Sequence, residues 1–350
     1  MQHACELRTN LALIAPGTPL RDGLDRILRG RTGALIVLGS NRVVESISTG
    51  GFAIDAPYSP TSLRELTKMD GAIVFDIDSG RLTGAGIHLM PDADLPTGES
   101  GTRHRTADRV SRQAGLPVLS VSASMSTISL FLDGTRHLVE LSAEILSRAD
   151  QALQALERYR VRLTQLVNRL SSLEVEEQVT VRDLALVAQR LEMVRRLQTE
   201  LDSYVLELGE HGRLLDLQLH ELKAGLTDLK PLLEEDYRTD VGGALLLTQL
   251  QELPDADLLD PLLVVRALGF SSSVHMDTKI SARGLRQLAQ ISRLPTGMSE
   301  RMLDHFGGLQ ALFGASTAEL QSVEGIGDGR ARIIRDGLTK LAESAFNRPD

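Results

Sequence analysis

The first 141 residues alternate short apolar runs with segments of helical periodicity. Continuous runs such as 33–39 (GALIVLG) and 72–78 (AIVFDID) have the length and composition of buried strands. An upstream helical segment has Thr18 as N-cap, Pro19 at its first position and Gly30 as its stop. About seven apolar runs of this kind, separated by helices, predict a mixed α/β domain with a single sheet.

Two shorter segments of this region complete the prediction. Residues 43–48 (VVESIS) alternate apolar and polar side chains as a half-buried strand does, so we expect a strand there. Residues 59–69 (SPTSLRELTKM) predict a short helix with Ser59 or Thr61 as N-cap. Asp70 follows, at the point where a buried strand begins. A charged side chain at that point must stay in water, find a partner or hold a ligand.

The apolar spacing changes at residue 142. From there to about residue 252, apolar side chains recur in steps of three and four, and a second helical stretch follows Thr180 as N-cap. We therefore expect residues 142–280 to form a helical spine, with a regulatory coiled coil as the alternative. The apolar positions of the first helix are Ile145, Ala149, Leu153, Leu156, Tyr159, Leu163, Leu166 and Leu170.

Residues 281–350 form a third segment that is punctuated by glycines. Within it, an apolar helix is followed by Gly325, Ile326 and Gly327 and then by a second helix. A Gly-x-Gly turn of this kind exposes backbone N–H groups at a helix N-terminus, where phosphate binds readily. An ordinary tight turn between two packed helices is the alternative.

Composition and charge limit the functions that fit. The chain has 38 Lys plus Arg against 47 Asp plus Glu, a net charge of −9, whereas residues 281–350 have nine basic and eight acidic residues. Contacts to nucleic acid must therefore be local, because the whole chain lacks the positive field of non-specific binding. The single cysteine, Cys5, excludes an intrachain disulfide and favours the cytoplasm. We see no signal peptide pattern and no apolar run of about 18 residues, so we expect no membrane span.

Three basic side chains stand at the start of a predicted helix. The helix begins near Thr102 and stops at Gly115, so Arg103, His104 and Arg105 lie in or beside its first turn. A helix N-terminus has partial positive charge, so cations there destabilise the free protein. An anionic ligand would offset this cost, because arginine forks and free backbone N–H groups both match phosphate oxygens.

Hydroxyl groups in the same segment extend this candidate phosphate site. Thr102 and Thr106 supply them, whereas the alternative is a solvated cluster balanced by Glu99 and Asp108. A carboxylate at a strand edge, as at Asp70, is a common way to hold Mg²⁺ or Mn²⁺ beside a nucleotide phosphate. Together the two segments predict phosphoryl or nucleotidyl transfer.

Motifs in these segments resemble those of the diadenylate cyclase family. They are DGA at Asp70, Gly71 and Ala72, RHR at residues 103–105 within GTRHRTA, and the earlier GRTGALIVLG. The resemblance implies condensation of two ATP into cyclic di-AMP and two pyrophosphates, with Mg²⁺ or Mn²⁺. Because this product is two-fold symmetric, two chains would each present one half-site across a two-fold interface. The resemblance also implies a homo-octamer.

The family's site residues are carried over to the matching positions of this chain. By resemblance, Asp70 binds the metal ion and helps to activate the 3′-hydroxyl, and Arg103 and His104 are catalytic with it. Arg105 is implied to position the site. The chain has Ala123 where many members have an acid, so no metal or ribose role is assigned there. The residues implied to bind ATP are Gly71, Leu89, Thr102, Arg103, His104, Thr106 and Ser122.

The C-terminal segment resembles the helix-hairpin-helix motif, which grips the DNA backbone without reading bases. Residues 295–298 would supply a second hairpin, whereas Asp328 and Gly329 depart from the usual Pro and Lys, which predicts weak phosphate affinity. The residues implied to contact branched or damaged DNA are Gly325, Ile326, Gly327 and Arg330. The positions that match the motif are Leu320, Val323, Gly325, Ile326, Gly327, Ala331 and Ile334.

The order of a cyclase domain (1–141), a helical spine (142–280) and a helix-hairpin-helix domain (281–350) resembles the DNA-scanning members of the diadenylate cyclase family. We therefore expect a cytoplasmic, nucleoid-associated enzyme. Two other functions stay open. One is a non-catalytic scaffold that senses ATP and binds DNA. The other is a nucleotidyl transferase that adenylylates a protein, although no lysine motif of the ligase kind accompanies the site.

Overall fold

The computed structural model describes residues 2–225, 228–240, 243–292 and 294–346. The strands are β1 (Ala34–Leu38), β2 (Ser48–Thr49), β3 (Phe52–Pro57), β4 (Ala72–Asp76), β5 (Arg81–Leu89), β6 (Val118–Ser122), β7 (Thr127–Leu132) and β8 (Thr135–Val139). In the described residues they form one sheet with the order β2-β5-β4-β1-β6-β7-β8, and β3 pairs with β5. β1 and β4 are parallel and the other pairs antiparallel, so the predicted mixed sheet is confirmed.

Helices that accompany the sheet begin and end at the signals in the sequence. The Thr18 side chain accepts the N–H of Arg21, and Ser59 caps the next predicted helix in the same way, so both N-caps are confirmed. A further predicted helix ends at Gly115, whose φ of 63° is left-handed. These helices are α1 (Gln2–Leu13), α2 (Pro19–Arg29), α3 (Arg42–Ile47), α4 (Pro60–Leu66) and α5 (Thr102–Ala114).

The strand that we predicted at residues 43–48 is wrong, because this segment forms α3. The Asn41 side chain accepts the N–H groups of Val43 and Val44 and thereby starts a helix. Val44 and Ile47 are three residues apart, so a helix buries both on one side. Over only six residues, the spacing of apolar side chains fits both the 3.6-residue period of a helix and the two-residue period of a strand. The sequence prediction also missed β3, whose side chains are half-buried or exposed.

The sheet separates two apolar layers. One face packs against α2 and α4, where Leu24 and Leu63 are buried. The other face packs against α3 and α5, where Val44 and Val110 are buried, and we call it the α5 face. Strand residues with side chains on the α5 face are Leu35, Val37, Ala72, Val74, Val118 and Phe131.

Residues beyond the sheet are helical. The predicted apolar stripe along the first long helix is confirmed for seven of its eight positions, because all but Tyr159 are buried. Among the described residues, no helix has both the length and the apolarity that crossing a bilayer requires. The helices are α6 (Ser142–Val175), α7 (Val181–Leu208), α8 (Arg213–Lys223), α9 (Leu229–Asp236), α10 (Asp255–Leu258), α11 (Pro261–Ala267), α12 (Leu285–Leu288), α13 (Thr296–Phe306), α14 (Leu309–Gly314), α15 (Thr317–Leu320) and α16 (Asp328–Phe346).

Contacts divide the chain into two compact units. The first comprises residues 1–151 and 200–218, and the second comprises residues 152–199 and 219–350. In the second unit, α12 to α16 enclose their own apolar core, which includes Met302, Leu320 and Ile334. The predicted division at residues 141 and 280 stays a prediction.

A buried polar cluster joins α12 to other helices of the second unit. Glu174 of α6 pairs with Arg286 of α12, and both side chains are almost fully buried. The Asp236 carboxylate accepts backbone N–H groups at the start of α12, two of them at 2.7 Å. Burial raises the pKa of Asp236 to about 6, with the Glu174 charge as the next cause. This cluster fixes α12, the first helix of the C-terminal region, onto the spine.

Candidate active site

Strand register brings two segments of the first unit to one edge of the sheet. β1 and β4 are parallel, with Ile36 opposite Ile73. The same register continued by three residues brings Gly33 opposite Asp70, each just before its strand begins. Neighbouring strands lie about 4.8 Å apart. The backbone at Asp70 therefore lies beside the glycine that precedes β1.

Two further predicted residues, Ser122 and Leu89, lie level with Gly33 and Asp70. We call these four positions the row. The antiparallel register of β1 with β6, continued to the strand ends, brings Gly33 opposite Ser122. The register of β4 with β5, continued in the same way, brings Asp70 opposite Leu89. Each of the four positions lies an even number of residues from a side chain of the α5 face, so the row belongs to that face. Four segments that are distant in sequence thus converge here.

Gly71 is required by the backbone of the neighbouring strand. Its φ is +112°, and a Cβ atom there would lie 2.5 Å from the carbonyl carbon of Gly86 on β5. Gly86 itself lies where the pairing of β4 and β5 is irregular. The resemblance to diadenylate cyclases implies that Gly71 binds ATP. The structure adds a packing reason, because only glycine allows the two backbones to come so close.

Arg103 reaches the row from α5. A Cβ atom at Gly33 would overlap the Arg103 guanidinium, so this side chain lies directly over the Gly33 backbone. Gly33 neighbours Asp70 in the register described above. The first turn of α5 and the start of β4 therefore place a cation and an exposed carboxylate at the same edge of the sheet.

Charges around the first turn of α5 are not balanced as the solvated-cluster alternative requires. Glu99 pairs with Arg136 of β8 at 3.2 Å, and Asp108 pairs with Arg112 at 3.0 Å. The N-cap Gly101 makes no side-chain hydrogen bond, and the first turn contains no acidic residue. Within the part of the chain that the structure describes, Arg103 and Arg105 form no ion pair. An anion would meet two unpaired cations and free backbone N–H groups here.

His104 is the buried member of the three basic residues. Its Nε2 atom has no hydrogen-bond partner among the described residues, and its ring lies 6.0 Å from that of Phe131. Burial lowers the pKa of His104 most, and the positive charges of Arg136 and Arg103 lower it further, whereas Glu99 raises it. The imidazole is therefore neutral at pH 7 and can offer one hydrogen bond to a ligand.

Polar residues that the sequence prediction missed lie on the same face. The hydroxyls of Ser120 and Thr127 are buried without a hydrogen-bond partner in the described chain, and Thr127 pairs with Ser122 across the hairpin. Arg136 donates to Ser129 at 3.0 Å besides binding Glu99. Ser120 and Ser122 gave a usable signal, since two serines at period two in a buried strand mark a polar stripe.

The remaining predicted residues occupy the surface around this row. Thr102 is exposed at the first position of α5, and the Thr106 hydroxyl donates to the Thr102 carbonyl at 3.0 Å.

Asp76 lies at the opposite end of β4 from Asp70. Its carboxylate accepts the Asp78 N–H and the Ser79 hydroxyl, which makes this acid part of a solvated turn.

The donor set fits a metal ion that is held jointly with a nucleotide. No group of three or more His, Cys, Asp or Glu side chains in the described chain could hold an ion alone. Mg²⁺ commonly binds one or two carboxylates and completes its shell with phosphate oxygens and water. Asp70 meets this need, because its exposed carboxylate has no ion pair within the described ranges.

Near the C-terminus, the predicted hairpin lies between α15 and α16. Gly325 has a left-handed φ of +88°, Ile326 is buried, and Gly327 is exposed directly before α16. Arg330 donates to the Gly325 carbonyl at 2.8 Å. The Asp328 carboxylate is bound by Arg332 and by Gln321, and it places negative charge at the helix N-terminus.

Comparison with known protein families identifies two regions of the chain. Residues 21–136 match the family described as DisA bacterial checkpoint controller nucleotide-binding, known as DAC. Residues 139–277 match the family described as DisA bacterial checkpoint controller linker region. The first match contains the whole row at the sheet edge and the first turn of α5.

Similar proteins extend over almost the full length of the chain. The DNA integrity scanning protein DisA of Streptomyces coelicolor is 52% identical over 349 residues, covering 97% of this chain and 93% of the relative. The protein of the same name from Parafrankia is 53% identical, covering 97% and 96%. DacA from Staphylococcus aureus, a solved structure, is 23% identical with a TM-score of 0.31 over 41% of this chain and 94% of that one. The chain therefore belongs to the DisA family of DNA integrity scanning proteins.

Proposed function

We propose that this chain is a diadenylate cyclase whose activity is coupled to the sensing of branched or damaged DNA. It condenses two ATP into cyclic di-AMP and releases two pyrophosphates. The observation that supports this most is the placement of Asp70 beside Gly33, over which Arg103 lies. A carboxylate and an unpaired cation at one sheet edge suit a triphosphate and its divalent ion.

Each side chain has a distinct role in this proposal. Arg103 and the free N–H groups of the first turn of α5 bind phosphate oxygens, with the hydroxyls of Thr102 and Thr106 beside them. The neutral His104 donates a hydrogen bond to a phosphate oxygen. Asp70 would hold Mg²⁺ or Mn²⁺ and orient the 3′-hydroxyl, and the ion supplies neutralisation of charge at the phosphates.

The Gly71 backbone, Leu89 and Ser122 line the nucleotide, with Leu89 close to adenine. Leu89 is half-buried at the end of β5 and packs against the apolar core of the α5 face, so it offers an apolar surface to a base. Ser122 is buried at the end of β6, and its hydroxyl lies 3.3 Å from that of Ser124. A nucleotide in the row would have its base at β5 and its phosphates at α5.

The reaction requires two chains. The 3′-oxygen of the ATP on one protomer attacks the α-phosphorus of the ATP on the partner. A new P–O bond forms, and the bond to the bridging oxygen breaks with its electron pair leaving on pyrophosphate. The hydroxyl proton is lost to the Asp70 carboxylate or to water. A second, identical transfer closes the ring. A homo-octamer would place such pairs of sites face to face.

In the same proposal, DNA binds at the turn between α15 and α16. Gly325, Ile326 and Gly327 present N–H groups at the N-terminus of α16 to a backbone phosphate, and Arg330 lies beside them. The names of the relatives, which refer to DNA integrity scanning, support this assignment. Asp328 opposes it electrostatically, so we expect a weak contact that gains strength from several copies in the oligomer.

Product analysis with a matched pair of variants tests the cyclase. Purified protein is incubated with ATP and Mg²⁺ or Mn²⁺, and the products are identified by mass. Asp70→Asn should lower cyclic di-AMP formation by roughly 10³-fold while the fold is kept, because removing the carboxylate removes a charge that acts on the reacting groups. Asp76→Asn, at the other end of the same strand, should keep near-normal activity.

Other outcomes identify the alternative functions. Full activity of Asp70→Asn would remove the metal assignment. ATP left unchanged by the wild-type protein would favour the ATP-sensing scaffold, an alternative that the alanine at position 123 keeps open. Adenylate bound covalently to protein would favour the third function, transfer to a protein acceptor.

A further inference from the structure

A cavity of about 290 Å³ in the second unit lies apart from every residue assigned above. It opens between α7 and the short helical segment Leu247–Glu252. Its lining is mainly apolar and includes Ala188, Leu191 and Val194 of α7, with Leu250 opposite. A space of this size is close to that of small-molecule sites and far larger than that of a single water.

Positive charge is concentrated at the rim of this cavity. Arg195, Lys223 and Lys230 line it, and Glu192 is the one acidic residue among the described residues that do so. The Glu192 carboxylate is already engaged, because Arg195 donates to both of its oxygens at 2.7 Å and Arg196 donates at 2.9 Å. The lining therefore has three basic side chains against one acidic side chain, in a chain whose net charge is −9.

Two details indicate that the rim suits an anion. The Lys230 ammonium donates to the Thr248 hydroxyl at 3.0 Å, and its carboxylate partner Glu234 lies 3.9 Å away. Gln198 lines the cavity, and its Nε2 atom is buried without a hydrogen-bond partner within the described residues. Buried amide donors are rarely left unpaired, so this N–H marks a position for an acceptor.

We propose that this cavity binds a small organic anion that combines an apolar body with one acidic group. The apolar body lies against α7 and Leu250. The acidic group lies at the rim, where the Gln198 amide donates to it and Lys223 and Lys230 neutralise it. Such a ligand would stabilise the packing of α7 against Leu247–Glu252 and would give the spine a binding function of its own.

A filling variant tests whether the cavity is the site. The probe is 8-anilinonaphthalene-1-sulfonate, which has an apolar body and one anionic group and fluoresces in apolar surroundings. We expect saturable binding to the full-length wild-type protein. Leu191→Trp places an indole in the open space and should remove this binding. Leu214→Trp adds the same side chain at an exposed leucine of α8 outside the cavity and should leave it unchanged.

A charge variant tests the anionic group separately. Lys230→Glu should weaken binding of the sulfonate probe about tenfold, because a cation becomes a repelling carboxylate. It should leave binding of the uncharged N-phenyl-1-naphthylamine unchanged, and Lys340→Glu on α16 should affect neither probe. Circular dichroism melting confirms that each variant folds. Retained binding by folded Leu191→Trp, or equal weakening of both probes by Lys230→Glu, overturns the proposal.

Discussion

At the scale of single residues, the candidate site depends on a histidine held in its neutral form. Burial, Arg136 and Arg103 lower the pKa of His104, while Glu99 raises it. Because the folded protein disfavours the protonated ring, the free energy of unfolding falls as the pH drops below the ordinary value near 6.5. The same protonation removes a neutral group from the site and leaves three cations close together.

This electrostatic balance predicts opposite effects for two variants. Arg136→Gln removes a positive charge, so the pKa of His104 rises and the acid limb of the kcat/KM profile should move to higher pH. Glu99→Gln removes a negative charge, so the acid limb should move to lower pH. The measurement is cyclic di-AMP formation from pH 5 to 9. If the acid limbs of the two variants shift in the same direction, a group other than His104 controls activity.

Sequence motifs were sufficient to propose the central residues of the candidate site but not the residues that support them. Asp70 and residues 103–105 belong to short contiguous motifs that can be read directly from the sequence. The basic residues 103–105 are unusual because they stand at the start of a helix, where cations are unfavourable. Arg136 could not be found in this way. Its role arises because β8 pairs with β7 and brings it to Ser129 and Glu99, which are distant in sequence. Register decides such contacts, and register was not predictable.

At the scale of elements, the irregular pairing of β4 and β5 holds Asp70 in place. The close approach of Gly71 and Gly86 fixes the chain just before β4 begins. The strand is therefore aligned by backbone contact rather than by a side chain. A change in this approach should move Asp70 relative to the row without touching any charged group.

Two glycine variants separate the cost of backbone strain from the cost of a steric clash with the Gly86 backbone. Gly80→Ala adds a methyl group at φ +66° where nothing lies within 4 Å, so it should cost about 1 kcal/mol of unfolding free energy. Gly71→Ala adds strain and a collision with the Gly86 backbone, so it should cost roughly 3 kcal/mol or more and abolish activity. Urea unfolding measures both. Equal costs would show that the approach of β4 and β5 is adjustable.

The same scale shows where periodicity misled the prediction. Six of the predicted apolar runs coincide with strands. β1, β4, β6 and β7 are almost wholly buried, β5 is nine residues long, and β8 is held by its pairing with β7. Residues 43–48 are too few to distinguish the period of a helix from that of a strand. The Asn41 cap decides in favour of a helix. β3 was missed because Asp55 interrupts its apolar residues and Pro57 ends them, and its pairing with β5 depends on backbone hydrogen bonds.

At the scale of the whole molecule, an acidic chain that binds DNA must do so through a local surface. Gly327 lies in open space, and a side chain there meets no atom within 4 Å. Gly327→Asp puts a carboxylate at the N-terminus of α16, which should leave stability unchanged or slightly higher. Binding to a branched duplex should weaken by roughly tenfold at low salt, because the phosphate position becomes repulsive.

The control for this variant is Gly314→Asp, which adds the same charge at another open glycine of the second unit. A filter or fluorescence titration at several salt concentrations measures both variants. Gly314→Asp should shift the affinity slightly through net charge alone. Equal loss in the two variants would mean that general repulsion, and not the hairpin between α15 and α16, accounts for the effect.

The requirement for two chains predicts how inactive and active copies combine. In the proposed mechanism a nucleotide held at one row reacts only with a nucleotide on a partner's row, so both members of a pair must be intact. If wild-type and Asp70→Asn chains are co-expressed in equal amounts and pair at random, about one quarter of the pairs contain two intact chains. Activity per total protein should then fall to about a quarter of the wild-type value. A fall to one half would instead show that each chain completes the reaction alone, and the shared site would have to be abandoned while nucleotide binding at Asp70 and Arg103 could still stand.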